Sequence, residues 1–276
     1  MGEDDWRDAN RANWDERVAM HVASPTYDTA ALRAGRRRLH PIEEAELGPV
    51  EGMRILHLQC HFGMDSLTLA QRGADVVGLD FSPPAIAQAQ MLSAELGLSG
   101  RSRFVLSDVY DAPMAIAEAS AFDIVFSTWG TIGWLPDIER WAAVVAHFLA
   151  PGGFLYLADG HPAALVFDDA DRRPDGLPGY FVPYFQREAV VTVDPSDYAD
   201  ETAQLENATQ HNFQHPMGDV VTALRRNGLQ LDFLHEHPAV PWRMFQALVR
   251  DAAGMWRWPD KEWLPLSFSL KAVRPR

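Results

Sequence analysis

The stretch that decides the fold runs from Arg54 to Asp80 and reads RILHLQCHFGMDSLTLAQRGADVVGLD. It opens with the alternating, mostly apolar run RILHL, which is typical of a buried strand. After a short loop, an apolar-periodic run ends at Gly73, as a helix with a C-terminal glycine does. The run DVVGLD then predicts a second strand that ends in an acid. This order of strand, loop, helix and strand predicts the first βαβ unit of a doubly wound sheet.

The loop and the final acid of this unit indicate a ligand site. In doubly wound sheets the loop faces a ligand at the helix N-terminus, and the acid reaches ribose hydroxyls. Asp80 lies 17 residues beyond Gly63, close to the expected spacing of about 20. Gly63 is the only glycine of the loop, whereas a pyrophosphate needs bare backbone on several sides. The sequence therefore favours S-adenosylmethionine, which carries a nucleoside without phosphates, over NAD.

A longer series of motifs continues this pattern. LHLQCHFGMDS is followed by GLDFSPPAI, SDVYDAP, FDIVFSTWGTIGWLPD and LAPGGFLYLADGHP. The series resembles the class I S-adenosylmethionine-dependent methyltransferases, in particular a bacterial subfamily whose first motif reads L-H-L-Q-C-H-F-G instead of Asp-x-Gly-x-Gly-x-Gly. The resemblance covers nearly the whole chain, from NWDERVAMH near the N-terminus to PLSFSLKA near the C-terminus. It is specific for fold and cofactor and nearly silent on substrate.

The resemblance implies an α/β fold, a doubly wound, seven-stranded class I methyltransferase (Rossmann-like) sheet with the strand order 3-2-1-4-5-7-6. It also implies S-adenosyl-L-methionine as the cofactor. Asp108 would meet the adenine amino group, and His61, which stands at the place of the middle glycine, would line the pocket. The residues expected to bind the cofactor are Trp14, Gln59, His61, Gly63, Asp80, Phe81, Asp108, Val109 and Thr128.

The chain, residues 1–276, is expected to fold as a single methyltransferase domain. Residues 1–50 are polar and predict a helical cap, which we expect to form a lid over the cofactor. Residues 51–160 should form the cofactor-binding core. Residues 161–217 begin rich in Pro, Gly and charge and end in a predicted strand pair, so an insertion after the fifth strand should cover the substrate. Residues 218–276 predict a helix and the last two strands.

Aromatic and histidine side chains near the predicted strand ends are candidates for substrate binding and catalysis. Trp129 follows the fourth strand, where methyl acceptors bind in similar enzymes, and its face would favour a sulfonium charge. His161 follows the fifth strand and is the first candidate for a general base, with Tyr27 and His215 as further candidates. The substrate-binding candidates are Trp129, Trp134, Tyr180, Tyr184 and His211.

Histidine spacing invites a metal interpretation, which the predicted elements do not favour. His57 and His61 are four residues apart, a spacing that converges on one ion when both lie on a helix. Here one lies in a strand and the other in a loop, so we expect no metal. His161, His211 and His215 leave a metal triad open, with hydrogen bonds to the surrounding fold as the alternative role of each.

Composition excludes several classes of partner. A formal charge of −14 argues against nucleic acid, because binding it requires clustered Lys and Arg. A single Cys excludes an internal disulfide, and no run approaches the ~18 apolar residues of a membrane span. The sequence begins MGEDDW, without a signal segment. We therefore expect a cytoplasmic protein, a monomer or homodimer, with a small-molecule substrate.

The expected reaction is methyl transfer from S-adenosylmethionine to a nitrogen or oxygen of a small molecule. Aromatic residues at the presumed mouth favour an apolar or aromatic-bearing acceptor. C-methylation of an electron-rich ring in a natural product is the alternative within this class. Two alternatives come from other classes. A dinucleotide-dependent oxidoreductase is disfavoured by the missing glycines, and a non-catalytic binding module is disfavoured by the presence of Asp80 and Asp108.

Overall fold

The inner strands of the central sheet form from apolar runs whose side chains are mostly buried, as in β1 (Arg54–Leu58), where only Arg54 is exposed. The computed structural model describes residues 5–200 and 202–276, so residues 1–4 of the expected cap and residue 201 of the expected insertion lie outside the described part. The helices are α1 (Asp5–Ala23), α2 (Thr29–Arg33), α3 (Pro41–Glu46), α4 (Met64–Gln71), α5 (Pro83–Glu95), α6 (Ala112–Ala115), α7 (Ile138–Phe148) and α8 (Met217–Arg226). The strands are β1 (Arg54–Leu58), β2 (Asp75–Asp80), β3 (Ser102–Leu106), β4 (Phe122–Thr128), β5 (Leu149–Gly160), β6 (Phe167–Asp168), β7 (Gly179–Tyr180), β8 (Val190–Val193), β9 (Thr209–Asn212), β10 (Gln230–His237), β11 (Ala239–Val240), β12 (Val249–Arg250), β13 (Trp256–Arg257) and β14 (Ser267–Val273).

Seven of these strands form one sheet in the order β10-β14-β5-β4-β1-β2-β3. The neighbours from β5 to β3 pair in parallel, and β14 is antiparallel to both β5 and β10. With β10 as the sixth strand and β14 as the seventh, this is the predicted order 3-2-1-4-5-7-6, and the fold-class prediction is confirmed. The strand order reverses between β1 and β4, the point at which open α/β sheets bind ligands beyond the carboxyl ends of their strands.

Helices cover both faces of the sheet. Leu56 and Leu58 of β1 pack with residues of α7 and α8 in one buried cluster, whereas Ile55 belongs to a cluster on the opposite face. This alternation is the period-2 pattern that the RILHL run predicts. α5 begins at Ser82, whose hydroxyl accepts a hydrogen bond from the Ala85 N–H, and Pro83 follows as the first helical residue. A serine followed by proline is the sequence signal that marks the start of a helix.

The insertion packs against the N-terminal cap. β8 and β9 form an antiparallel pair, as predicted, and α1 lies along β9. Asn10 of α1 hydrogen-bonds both the N–H and the carbonyl of His211, so its side chain extends the backbone pairing of the strand. The cap and the insertion are therefore joined by specific bonds and not by apolar contact alone.

A small three-stranded sheet in residues 238–266 was not predicted. β11, β13 and β12 form it between β10 and β14, and it packs on a buried cluster that includes Phe245 and Trp258. Each strand has two residues, which is too short for an alternating pattern to show in the sequence. Among the described residues, no helix is both long and apolar enough to cross a bilayer.

Candidate active site

A small cavity of about 20 Å³ lies between α1 and the loops that follow β1, β2, β3 and β4. That volume holds about one water molecule. Trp6 and Asn10 of α1 form one side of it, so α1 covers the cleft. The residues that line the cavity are Trp6, Asn10, Gln59, Phe81, Asp108, Val109, Trp134 and Leu135. Five of the residues singled out in the sequence are among them: Gln59, Phe81, Asp108, Val109 and Trp134.

Asp80 ends β2 beside this cleft and is 6 % exposed. One carboxylate oxygen accepts the His61 N–H at 2.8 Å, and the other accepts the Ser82 N–H at 3.0 Å. Burial raises the pKa of Asp80 to about 6, against the lowering effect of these N–H groups. The carboxylate is therefore ionised at neutral pH, and each of its oxygens keeps a lone pair for a further donor.

The loop after β1 has an unusual backbone for its side chains. Gln59 has a φ of 55° and His61 a φ of 50°, in the left-handed region that usually requires glycine. These are the first and middle glycine positions of Asp-x-Gly-x-Gly-x-Gly. The side chains are held by tertiary contacts, since the Gln59 amide donates to the Thr131 carbonyl at 2.9 Å. A left-handed non-glycine residue costs about 1–2 kcal/mol, and such residues cluster at functional sites.

Gly63 keeps the third glycine position for a packing reason. Its φ is 81°, and a Cβ there would lie 2.8 Å from the Phe104 ring and 3.0 Å from the Ala89 methyl group. The bare backbone at this position therefore admits the side chain of β3 against the loop.

Two buried oxygen atoms, one in the loop after β1 and one in the last residue of β4, fit a ligand that donates hydrogen bonds. Among the described residues, neither the Gln59 Oε1 nor the Thr128 Oγ1 has a hydrogen-bond partner. Buried polar atoms without partners are rare because their desolvation is uncompensated. The amino group of S-adenosylmethionine would supply such donors, and its ribose hydroxyls would supply donors to Asp80, so the side chains present fit this cofactor.

Asp159 of β5 fixes the loop after β4, a role that the sequence analysis missed. Its buried carboxylate accepts the N–H groups of Gly130, Thr131 and Ile132 at 2.6–3.2 Å. Burial raises the pKa of Asp159, although these hydrogen bonds oppose the shift. The loop that carries Thr131 and Trp134 is therefore tied to the neighbouring strand at three consecutive backbone groups.

Asp108 carries an ion pair with the cap. Its carboxylate lies 3.0 Å from the Arg7 Nε and accepts the Tyr110 N–H at 2.8 Å. The adenine contact expected for Asp108 stays a prediction. Because Arg7 belongs to α1, this ion pair is one of the contacts that hold the cap over the cleft.

A buried polar chain runs from the loop after β1 through α1 to the insertion. The His61 Nε2 and the His21 Nδ1 are 2.9 Å apart, and the His21 Nε2 is 2.9 Å from the Asp197 Oδ2. Arg17 donates to the same oxygen at 2.5 Å. Burial raises the pKa of Asp197, but the hydrogen bond and charge of His21, with Arg17, outweigh it and lower the pKa to about 2. Asp197 is therefore ionised.

Aromatic rings surround these hydrogen-bonded side chains. The Trp14 ring packs edge-on to His61 and to Trp134, with both centroid distances 5.3 Å. Tyr27 stacks on His21 at 4.9 Å, and its hydroxyl hydrogen-bonds the Tyr198 hydroxyl. The structure thus brings three predicted residues, Trp14, Tyr27 and His61, together at one end of the cleft.

Several predicted site residues lie away from the cavity. The His161 Nδ1 accepts the Ala163 N–H at 3.1 Å, and its Nε2 lies 3.0 Å from the Glu236 carboxylate. The Trp129 indole donates to Glu43 at 2.6 Å and packs against His40 and Trp242.

The insertion candidates have mostly structural contacts. Tyr180 is 84 % exposed, and the Tyr184 hydroxyl accepts the Met217 N–H at the start of α8. The His215 Nε2 donates to the Leu135 carbonyl at 2.7 Å, and His211 is buried against α1. None of these four residues lines the cavity between α1 and the loops.

His57 is part of the core and not of the cleft. Its Nδ1 is 2.8 Å from the Ser66 hydroxyl, and burial lowers its pKa to about 4. In residues 5–200 and 202–276, no group of three or more His, Cys, Asp or Glu side chains could hold a metal ion.

Comparison with known proteins agrees with this architecture. Residues 55–153 match the family model described as a methyltransferase domain. A ubiquinone biosynthesis O-methyltransferase from Sinorhizobium fredii is 32 % identical over 111 residues, which cover 40 % of this chain and 42 % of that protein. The chain spans about half the length or less of the first curated relatives it matches, 49 % and 42 %.

Solved structures share the fold across most of the chain. A crystal structure from Listeria monocytogenes, assigned as a S-adenosylmethionine-dependent methyltransferase, superposes with a TM-score of 0.61 at 16 % identity and covers 90 % of this chain and all of that one. The glycopeptide N-methyltransferase MtfA, in complex with S-adenosylhomocysteine, has a TM-score of 0.55 at 18 % identity over 89 % of this chain and 90 % of its own.

Sequence reasoning missed His21, Arg17 and Asp197 as members of the site. His21 showed only a helical spacing from Trp14, which is equally typical of a core face. Asp197 lies in a polar turn of the insertion, 180 residues from Arg17. No local pattern in the sequence indicates a pairing over that distance.

Proposed function

We propose that the chain is an enzyme that transfers a methyl group from S-adenosylmethionine to an oxygen or nitrogen of a small molecule. The observation that carries the proposal is Asp80, a buried carboxylate at the end of β2 beside a cleft at the switch point of a class I methyltransferase sheet. The methyltransferase-domain match over residues 55–153 supports the same activity.

The residues of the cleft divide into those that would hold the ribose and those that would hold the amino acid. Asp80 would accept hydrogen bonds from the two ribose hydroxyls, and Asp108 and Val109 after β3 would flank the adenine. Gln59 and Thr128, each with an unpartnered oxygen, would accept from the amino group. When bound, S-adenosylmethionine supplies a methyl carbon attached to a positively charged sulfur, which is an excellent leaving group.

The chain's own contribution to the rate would be positioning and exclusion of water. Methyl transfer needs the acceptor in line with the carbon–sulfur bond, and orienting two reactants can supply several kcal/mol of the barrier. α1 covers the cleft with Trp6 and Asn10, and β9 lies behind α1. Cofactor entry then requires this cap to move, because the closed cavity of about 20 Å³ cannot hold a nucleoside.

The acceptor class follows from the relatives and from the lining of the cleft. The S. fredii relative is named as an O-methyltransferase and MtfA as an N-methyltransferase, so oxygen and nitrogen acceptors are both in scope. Trp6, Trp14 and Trp134 at the cleft favour an apolar or aromatic-bearing molecule.

The test is formation of S-adenosylhomocysteine in the presence of small phenols, alcohols, amines and electron-rich arenes, followed by mass spectrometry. The methylated atom is then located by NMR of the product. Methylation of an oxygen or nitrogen supports the proposal. Methylation of a ring carbon would replace it with the C-methylation alternative, and cofactor binding without turnover of any probe would favour a binding module.

A further inference from the structure

We propose that His61 is the general base of this reaction, backed by His21 and Asp197, and that the acceptor is therefore a hydroxyl compound. The inference rests on the proposed methyl-transfer function. It starts from the unusual placement of a histidine at a left-handed glycine position, where the backbone cost of about 1–2 kcal/mol needs a compensating role.

The hydrogen bonds between His61, His21 and Asp197 fix the tautomers of the two histidines. Asp197 is an ionised carboxylate and can only accept, so the His21 Nε2 at 2.9 Å carries a proton. In a neutral His21, the Nδ1 is then a lone pair, and the His61 Nε2 at 2.9 Å must donate to it. It follows that the proton of neutral His61 is on Nε2 and that its Nδ1 is a lone pair.

The free nitrogen of His61 is the one with no protein partner. Among the residues that the structure describes, only His21 hydrogen-bonds the His61 ring. The ring is half-buried and lies against Trp14, which contacts the cavity-lining Trp134. The His61 backbone N–H binds Asp80, so the residue also adjoins the expected ribose site.

The proton transfer balances without any further reactant. The acceptor hydroxyl proton passes to the His61 Nδ1 as the oxygen forms its bond to the methyl carbon and the carbon–sulfur bond breaks with its electron pair left on sulfur. The Nε2 proton of His61 then moves to the His21 Nδ1. The resulting imidazolium of His21 keeps its Nε2–H directed at the Asp197 carboxylate, which stabilises the charge.

The hydrogen-bonded side chains of His61, His21 and Asp197 form a proton relay. The surroundings of this relay favour a neutral His61 before the reaction. Burial lowers the pKa of His61 well below its usual value. The titratable groups that face the two rings are Asp197, Arg17, Tyr27, Tyr198 and Asp80. Burial raises the pKa of Tyr27 well above its usual range and that of Tyr198 to about 12, so both hydroxyls stay protonated.

The presence of a base with a relay points to a hydroxyl acceptor. A neutral amine attacks through its own lone pair and needs no deprotonation beforehand. An electron-rich ring carbon attacks through the π electrons of the ring and loses its proton only afterwards. A hydroxyl oxygen becomes a good nucleophile only as its proton leaves, and general-base catalysis then contributes about 10²–10⁴ in rate. The relay has a clear task only for the hydroxyl.

The first test needs no acceptor. Nitrogen-15 NMR of the histidine rings in the full chain, at neutral pH with S-adenosylhomocysteine added, should show the Nε2–H tautomer for both His21 and His61. A protonated Nδ1 on neutral His61 overturns the proposal, because the lone pair would then face His21 and not the acceptor.

The second test is kinetic and uses catechol as the hydroxyl probe. His61→Gly suits the left-handed backbone and should lower S-adenosylhomocysteine formation by about 10²–10⁴. Its affinity for S-adenosylmethionine should stay within about threefold, and added imidazole should restore the rate at least about tenfold. His147→Gln, an exposed histidine on α7, is the matched control and should keep the wild-type rate.

Three results would overturn the base assignment. The first is an unchanged rate in His61→Gly, and the second is a loss that imidazole does not rescue and that follows lost cofactor affinity. The third is a loss in His161→Gln that equals the expected loss in His61→Gly. A wild-type chain that methylates aniline and not catechol overturns the hydroxyl assignment. Failure of the wild type to bind S-adenosylmethionine would instead reject the underlying methyl-transfer function.

Discussion

At the scale of single residues, Asp80 combines burial with a task that needs its charge. Two backbone N–H groups hold the carboxylate in place, one from the loop after β1 and one from the start of α5. These bonds orient the side chain before a ligand arrives, so little entropy is lost on binding. The ribose hydroxyls would then donate to an acceptor that is already ionised and positioned.

Replacing Asp80 by Ala should weaken S-adenosylmethionine binding by about 1.5–3 kcal/mol, the range for hydrogen bonds to a charged group. Calorimetric titration measures the change. Asp75→Ala is the matched control, because Asp75 begins the same strand, is exposed and pairs with Arg101 at 3.3 Å. Equal affinities for Asp80→Ala and the wild type would show that the ribose does not bind here.

Cofactor affinity should also depend on pH through Asp80. Burial raises its pKa to about 6, so the carboxylate is ionised above that pH and protonated below it. Because the ribose hydroxyls bind the ionised form, affinity should be constant above about pH 7 and fall towards about tenfold per unit below pH 6. The matched Asp80→Asn chain should lose this dependence. An unchanged pH profile in Asp80→Asn would assign the effect to another group.

Substitutions at Gly63 and Gly48 separate the free-energy cost of a left-handed backbone from the cost of a steric clash. Gly63→Ala combines a left-handed backbone with a Cβ 2.8 Å from the Phe104 ring, whereas Gly48→Ala has a φ of 75° and nothing within 4 Å. Gly48→Ala should cost about 1 kcal/mol in the free energy of unfolding, and Gly63→Ala about 1–3 kcal/mol more. Urea denaturation gives both values. Equal costs would mean that Phe104 moves aside freely.

At the scale of elements, the cap and the insertion act as one cover. Asn10, Asn13 and Arg17 of α1 bond to the insertion at His211, Asn207 and Asp197 respectively. Arg7 pairs with Asp108, which ties the same helix to the loop after β3. The polar face of α1 is therefore an interior surface, although its sequence is typical of a solvated helix.

This arrangement shows what local sequence patterns could and could not predict. Apolar runs predicted β1 and β2, because these signals lie within a few residues. The contacts of Arg17 with Asp197 and of Asn10 with His211 join segments about two hundred residues apart. Such contacts depend on the finished fold, so the sequence indicated a lid without indicating what held it.

Hydrogen exchange should report the movement of this cover. Because the closed cavity is too small for a nucleoside, α1 must open to admit the cofactor and then close on it. Adding S-adenosylhomocysteine should change amide exchange in α1 and β9 and leave α8, on the face of β10, unchanged. No change in α1 would contradict the lid.

As a second measurement, a truncated chain beginning at Ile42 that keeps its fold should lose cofactor affinity. Full affinity in this truncated chain would mean that α1 only packs against the fold.

At the scale of the whole molecule, the fold and the site were predictable to different degrees. The sheet order was predicted from the resemblance to class I methyltransferases, and the structure has that order. The cleft follows from that order, since Asp80 and Asp108 end adjacent strands at its carboxyl edge. Trp129 and His161, however, were expected at the cleft because they follow β4 and β5. In the structure Trp129 hydrogen-bonds Glu43, and His161 contacts Glu236.

The overall fold alone does not identify the reaction that this chain catalyses. A shared sheet supports many reactions, so function has to be argued from the residues of the site. The proposal for this chain rests on a buried acid, two unpartnered oxygens and a cover of aromatic side chains around one cleft. A ligand that fits these groups must donate hydrogen bonds, as the ribose diol and the amino group of S-adenosylmethionine do.

Calorimetric titration of the unaltered chain with S-adenosylmethionine, S-adenosylhomocysteine and NAD tests whether this cleft binds S-adenosylmethionine. The first two ligands should each bind one site per chain, and the Asp80→Ala chain should bind them more weakly by about 1.5–3 kcal/mol. NAD should give no saturable heat, because the loop after β1 offers a pyrophosphate Gln59 and His61 in place of bare glycine backbone. Saturable binding of NAD, or none of S-adenosylmethionine at neutral pH, would contradict the assignment of the cleft.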